Sequence, residues 1–254
     1  MQDTIKETYT DLMSFLRNPK DESGPKLTVA DKFKKLISLL VIEIPIMVIL
    51  ILLISGLETL GLVDSGNHKI LDLIKSVPVP LFLILTVVII PFFEELIFRL
   101  YIRYKNNYAL HFVISLVSFT GVQNEQKAET FMISLWKKRY KFIFYFSGVL
   151  FGLIHITNFE FSYTILLLSP ILVAPQIILG FFIGFLRVRY GFVLGFLMHA
   201  LHNAVFIGFG LFSMLNHSEK NVETSLYSIK IEETNDIDSP STQHNYPDSI
   251  AYKT

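Results

Sequence analysis

The sequence predicts an all-α polytopic transmembrane bundle of about five to eight helices. Three observations predict it. The composition is 52% hydrophobic and only 17% charged, with a mean hydropathy of +0.49. Apolar runs of bilayer length recur along the chain, beginning with Leu36 to Leu53. Basic clusters such as Lys32, Lys34 and Lys35 stand at the ends of these runs, where the positive-inside rule places them in the cytoplasm. The organisation expected is a cytoplasmic N-terminal segment with an amphipathic helix (1–35), a membrane domain (36–215) and a polar, disordered tail (216–254).

Composition also narrows function. The formal net charge is zero, which points away from nucleic acid as a partner, while the apolar runs point to membrane lipid. No cysteine is present, so a thiol nucleophile, cysteine metal ligands and disulfides are excluded. The first 25 residues lack an apolar h-region, so no cleavable signal peptide is expected. Oligomeric state is not legible.

In chain order, Ile5, Tyr9, Leu12, Phe15 and Leu16 form a helical stripe ended by Asn18-Pro19. Such a helix either lies on the membrane surface or packs as an ordinary soluble helix. Thr28 is placed to cap the first span. Glu43 sits inside that span, two residues before Pro45. A buried acid is a functional candidate by default, but nothing nearby in sequence pairs with it, and a packing or hydrogen-bonding role is the expectation. A loop of mixed charge follows over 56–77. The second span runs from Val79 into the stretch PFFEELIFR at 91–99, where Pro91 is expected to kink the helix one turn before the acids. Residues 106–140 are too short in apolar runs to cross once and carry Lys137, Lys138, Arg139 and Lys141 at their end. A re-entrant segment or two short helices is expected there. Phe142 to Thr157 is the next span and contains His155. Phe159 to Leu186 follows, broken by Pro170, Pro175, Gly180 and Gly184. Phe192 to Leu215 is the last, with His199, His202 and Asn203.

These spans carry polar groups that lipid does not tolerate unpaired. Glu95 and Arg99 stand at i,i+4, the favourable order for an ion pair. Glu94 is rotated from Glu95 by about 100°, so Glu95 is expected to be the held acid and Glu94 the free one. His199 and Asn203, also i,i+4, share one helix face, whereas His202 points elsewhere and is expected to be a core residue. Together these groups suggest a shared pocket in which a glutamate activates water at a carbonyl and an imidazole and amide donate to the oxyanion. A metal site remains open, because two histidines and a glutamate are familiar zinc ligands. Neither HExxH nor GxSxG occurs.

The residues resemble the CAAX-protease and bacteriocin-processing (CPBP, or Abi) intramembrane glutamic endopeptidases. That family carries EExxxR, FxxxH and HxxxN motifs on successive membrane helices. Here they read Glu94-Glu95 to Arg99, Phe151 to His155, and His199 to Asn203, over roughly residues 80–210. The resemblance implies a CAAX-protease-like helical fold, a water-activating role for Glu94 with His155, and oxyanion stabilisation by His199 and Asn203. Glu95, Arg99 and Phe151 would support the site, with no obligatory metal cofactor. It implies a peptide or lipidated protein as substrate and a multi-pass protein of the cell membrane. A non-enzymatic peptide-binding or bacteriocin self-immunity protein is the alternative, and intact function of Glu94→Gln would favour it.

Overall fold

A computed structural model describes the backbone of residues 2–63 and 76–237, and the side chains of these except 118, 120 and 215–237. The chain divides into two units, 1–205 and 206–254. Among the described residues there are helices and turns but no strand, and five segments are long and apolar enough to cross a membrane. Their outward positions are occupied by Ile49, Leu52, Phe93, Ile97, Phe142 and Leu167, all exposed. A chain in water would bury such side chains; a membrane protein turns them towards lipid.

α1 (Gln2–Arg17) settles the choice that its stripe left open. Leu12 and Phe15 are buried, and the Phe15 ring meets Phe144 and Phe185 edge-on at 5.1 and 5.4 Å. The helix therefore docks on the bundle by this face. Asp11 accepts hydrogen bonds from Arg189 at 3.1 Å and Tyr190 at 2.9 Å, and Glu7 pairs with Lys35. α2 (Val29–Thr59) begins at Thr28, whose hydroxyl accepts from the Asp31 amide at 3.2 Å, the cap expected. It continues through Gly56, so the 56–77 loop starts later than its sequence suggested. Residues 64–75 lie outside the described residues.

The second span is α3 (Val79–Ile84), one π-helical turn (Leu85–Ile89) and α4 (Ile90–Arg99). Pro91 accounts for the π turn. It has no N–H to donate, and the Ile90 amide bonds five residues back to the Leu85 carbonyl. The distortion lies one turn before Glu94.

The segment expected to be re-entrant or to form two short helices is, from residue 122, continuous with the next span. α5 (Tyr108–Leu116) is a single short helix, and α6 (Val122–Ile154) runs without a break through the basic cluster into the next span. Hydropathy marks how much of a helix can sit in lipid, not where the helix starts. The polar stretch 122–141 is rich in Gln, Glu and Lys, all good helix formers. α7 (Tyr163–Leu172) and α8 (Ala174–Tyr190) share the next span, divided just before Pro175. α9 starts at Phe192 and reaches Ile237. The backbone of 216–237 is thus helical where a disordered tail was expected; 238–254 lie outside the described residues. Again the polar composition ends the apolar span without ending the helix.

α8 is the core of the first unit. Leu179, Phe182, Ile183, Phe185, Leu186 and Val188 are all buried. α6 can approach it closely because glycines line the contact. A Cβ on Gly152 would collide with Ile177, and one on Gly184 would stand 2.9 Å from the Phe144 ring.

Candidate active site

Three helices bring their polar groups to one place. α4 contributes the paired acids, and they divide as their helical phase requires. Glu95 is 1% exposed and its Oε1 lies 3.1 Å from His199 Nδ1, while Glu94 is 23% exposed. Glu94 Oε2 is 3.4 Å from His199 Nε2, and its Oε1 is 3.9 Å from His155 Nε2. One imidazole, on α9, therefore faces both carboxylates, with a nitrogen for each. A proton on either nitrogen has an acceptor waiting.

His155 stands in the 3₁₀ turn that ends α6 (His155–Asn158). Its Nδ1 donates to the Phe151 carbonyl at 2.7 Å, one helical turn back on its own chain. This bond sets the tautomer. With the proton on Nδ1, the neutral ring keeps Nε2 as an acceptor, aimed at Glu94.

Phe151 is the spacer of the site. It is fully buried, edge-on to the His155 ring at 4.8 Å and to His199 at 5.5 Å. The Arg99 guanidinium lies over its face, 4.4 Å from the ring centroid. The expected Glu95–Arg99 pair is not a direct contact, although the Glu95 charge still acts on the guanidinium. Glu95 turns to His199, and Arg99 instead donates from Nη1 to the carbonyl and hydroxyl oxygens of Ser147 at 3.5 Å. Arg99 is 0% exposed. An i,i+4 relation makes a pair possible, but a buried histidine and a buried ring on neighbouring helices compete for the same two side chains. Arg99 has room because Gly180 faces it: a Cβ there would be 2.9 Å from Nη2.

Asn203 shares the His199 face, as its spacing predicted, but the two side chains engage different objects. Asn203 Nδ2 donates to the Thr86 carbonyl at 2.8 Å. Thr86 lies five residues before Pro91, where a π-helical N–H would come from that proline. The amide of α9 thus satisfies a carbonyl that Pro91 leaves open. One of its two N–H groups remains for another acceptor. His202 faces away from this group, as expected, and its Nδ1 meets Glu43 Oε1 at 2.5 Å.

Sequence reasoning missed Ser147 and Thr86. Ser147 also donates to the Phe98 carbonyl at 2.6 Å, fastening the end of α4 to α6. Its signal was faint: a small polar residue beside Gly148, four residues before Phe151. Thr86 acts through its backbone, which no side-chain pattern reveals. Among the described residues no three His, Asp or Glu side chains form a metal-ligand group.

A family model described as type II CAAX prenyl endopeptidase, Rce1-like, matches residues 76–205, which include Glu94, Glu95, Arg99, Phe151, His155, His199 and Asn203 but not Glu43. No curated protein and no solved structure matches the chain.

Proposed function

We propose that this chain, which belongs to the Rce1-like family of type II CAAX prenyl endopeptidases, hydrolyses a peptide bond near the membrane surface by water that Glu94 and His155 activate. The supporting observation is the convergence of Glu94 on two imidazoles from two other spans, 3.4 and 3.9 Å away. A water held between Glu94 Oε1 and the acceptor nitrogen of His155 donates a hydrogen to each. As its oxygen attacks the carbonyl carbon of the substrate, its proton passes to Glu94. His199 Nε2–H and the remaining amide N–H of Asn203 stabilise the oxyanion. Collapse breaks the C–N bond, and Glu94 returns the proton to the leaving nitrogen. With both ring nitrogens protonated, His199 also donates from Nδ1 to Glu95, which holds the ring in orientation from the other side. The substrate is a peptide or a lipidated protein. Lys32, Lys34 and Lys35, in the first turns of α2, support a cytoplasmic N-terminus in a cell-membrane protein.

The test compares protein termini in membranes of matched cells carrying the wild type or Glu94→Gln. Termini that require the wild type establish proteolysis and identify the substrate. Glu94→Gln removes the base at nearly constant shape, so cleavage should fall roughly 10²- to 10⁴-fold. Identical termini in both strains would overturn the reading and favour a peptide-binding protein.

A further inference from the structure

Glu43 is the one acid within the apolar stretch 36–53 of the first span, and the chemistry above does not use it. It is completely buried, its Oε1 is 2.5 Å from His202 Nδ1, and its Oε2 has no hydrogen-bond partner among the described residues. A half-satisfied carboxylate at this depth is costly, and an apolar residue of the same size would pack more favourably. The pair joins α2 to α9, the helix that carries His199 and Asn203.

We propose that Glu43 is a positioning residue, which sets the rotation of α9 through His202 and so aims His199 and Asn203 at the acids of α4. This rests on the proteolytic reading for its consequence in catalysis, though not for its geometry. With about 100° per residue, His202 projects about 60° to one side of His199 and Asn203 about 40° to the other. His199 and Asn203 engage Glu95 and the Thr86 carbonyl of the second span, and His202 engages α2. A helix held on two flanks by two neighbours cannot turn about its axis. Held on one flank only, it can.

Ring contacts of Phe192 and Phe196 with Phe92 add to the hold of the second span on α9, but apolar burial elsewhere on this stretch is sparse. Within residues 192–205 only Leu194, Gly195, Met198 and His199 are buried, whereas α8 is buried almost continuously from Leu179 to Val188. His202 is also within electrostatic reach of His199, so a role through charge must be separated from one through position. Glu43→Gln makes that separation. It keeps an acceptor for Nδ1–H and removes the charge.

The experiment uses the full chain in lipid nanodiscs. It follows amide hydrogen exchange over 192–205 and, in parallel, steady-state cleavage of a prenylated CAAX peptide. Glu43→Leu should speed exchange in 192–205, leave α6 and α8 protected, and lower kcat roughly 10²-fold with KM little changed, the cost of a misaimed group. Glu43→Gln should stay near wild type in both. Exchanging the partners, Glu43→His with His202→Glu, should restore both readouts. Wild-type exchange in Glu43→Leu would overturn the inference. So would a folded exchanged pair that remains as loose as Glu43→Leu, or a Glu43→Gln enzyme with wild-type exchange but lost turnover. Should Glu43→Leu fail to assemble, the latter two variants decide the matter. A wild type that cleaves no peptide would instead defeat the proteolytic reading, and the exchange data would still decide for or against Glu43.

Discussion

α8 and the first half of α9 lie side by side in sequence, separated by Gly191, yet they are held by different forces. α8 is fixed by apolar area and by close backbone approach: glycines on α6 and α8 admit Ile177 and the Phe144 ring where any Cβ would collide. α9 has sparser apolar contacts, among them Phe92 against Phe192 and Phe196, and is aimed by polar pairs, His199 to Glu95, His202 to Glu43, and Asn203 to the Thr86 carbonyl. Non-directional packing tolerates small rotations, while hydrogen bonds specify direction. The chain places its packed helix in the core and its directed helix at the candidate site. Mutations in the two should therefore fail differently, one through stability and the other through rate.

The largest effect should come from the directed helix. His199→Gln keeps a donor of similar reach but cannot face both acids at once. The peptidase rate should drop by roughly 10²- to 10³-fold, as for loss of one oxyanion donor, with little change in the thermal midpoint. A fall in midpoint matching the fall in rate would show that His199 mainly holds the fold, and the comparison would break.

The packed helix should show the reverse. In Gly184→Val the first added carbon would already sit 2.9 Å from Phe144 Cε2, and that ring is itself wedged against Phe15 of α1 and near Phe181. Overpacking of this kind costs about 1–3 kcal/mol. The thermal midpoint should fall and α1 should become susceptible to protease, while the molecules that remain folded cleave at nearly the wild-type rate. Loss of turnover at an unchanged midpoint would show that the two helices are not mechanically separate.

What could be read in advance follows the same division. Periodicity and local spacing located the spans, the Thr28 cap, the distortion before Pro91 and the different burial of Glu94 and Glu95, because each depends on residues within one or two turns. The partner of Glu43 could not be read, since His202 is remote in sequence and only the fold brings it near. The Glu95–Arg99 pair was misread for the converse reason: proximity in sequence made it plausible, and remote partners in His199, Ser147 and Phe151 took both side chains. The helix through 122–141 was missed because its residues favour helix without being apolar.

The smallest effect tests whether every polar pair in this chain belongs to the working site. Asp21, in the segment between α1 and α2, lies 2.6 Å from Arg103 Nε, and its other oxygen accepts from the Tyr104 amide at 2.7 Å and from Trp136 Nε1 at 3.1 Å. One side chain thus ties the N-terminal segment to the end of the second span and to α6. Both members of the Asp21–Arg103 pair retain some exposure, 13% and 12%, so screening by solvent limits its strength. Asp21→Asn keeps an oxygen for the amide and the indole and loses the charge, for about 0.5–1.5 kcal/mol of stability. Trp136 is the only tryptophan in the chain, so its emission reports this contact directly. A shifted emission with unchanged peptidase rate would confine the directed polar pairs that matter for turnover to α9. A slowed rate would extend them to the far end of α4, since Arg103 follows Arg99 by one turn, and the site would then be held from both of its ends.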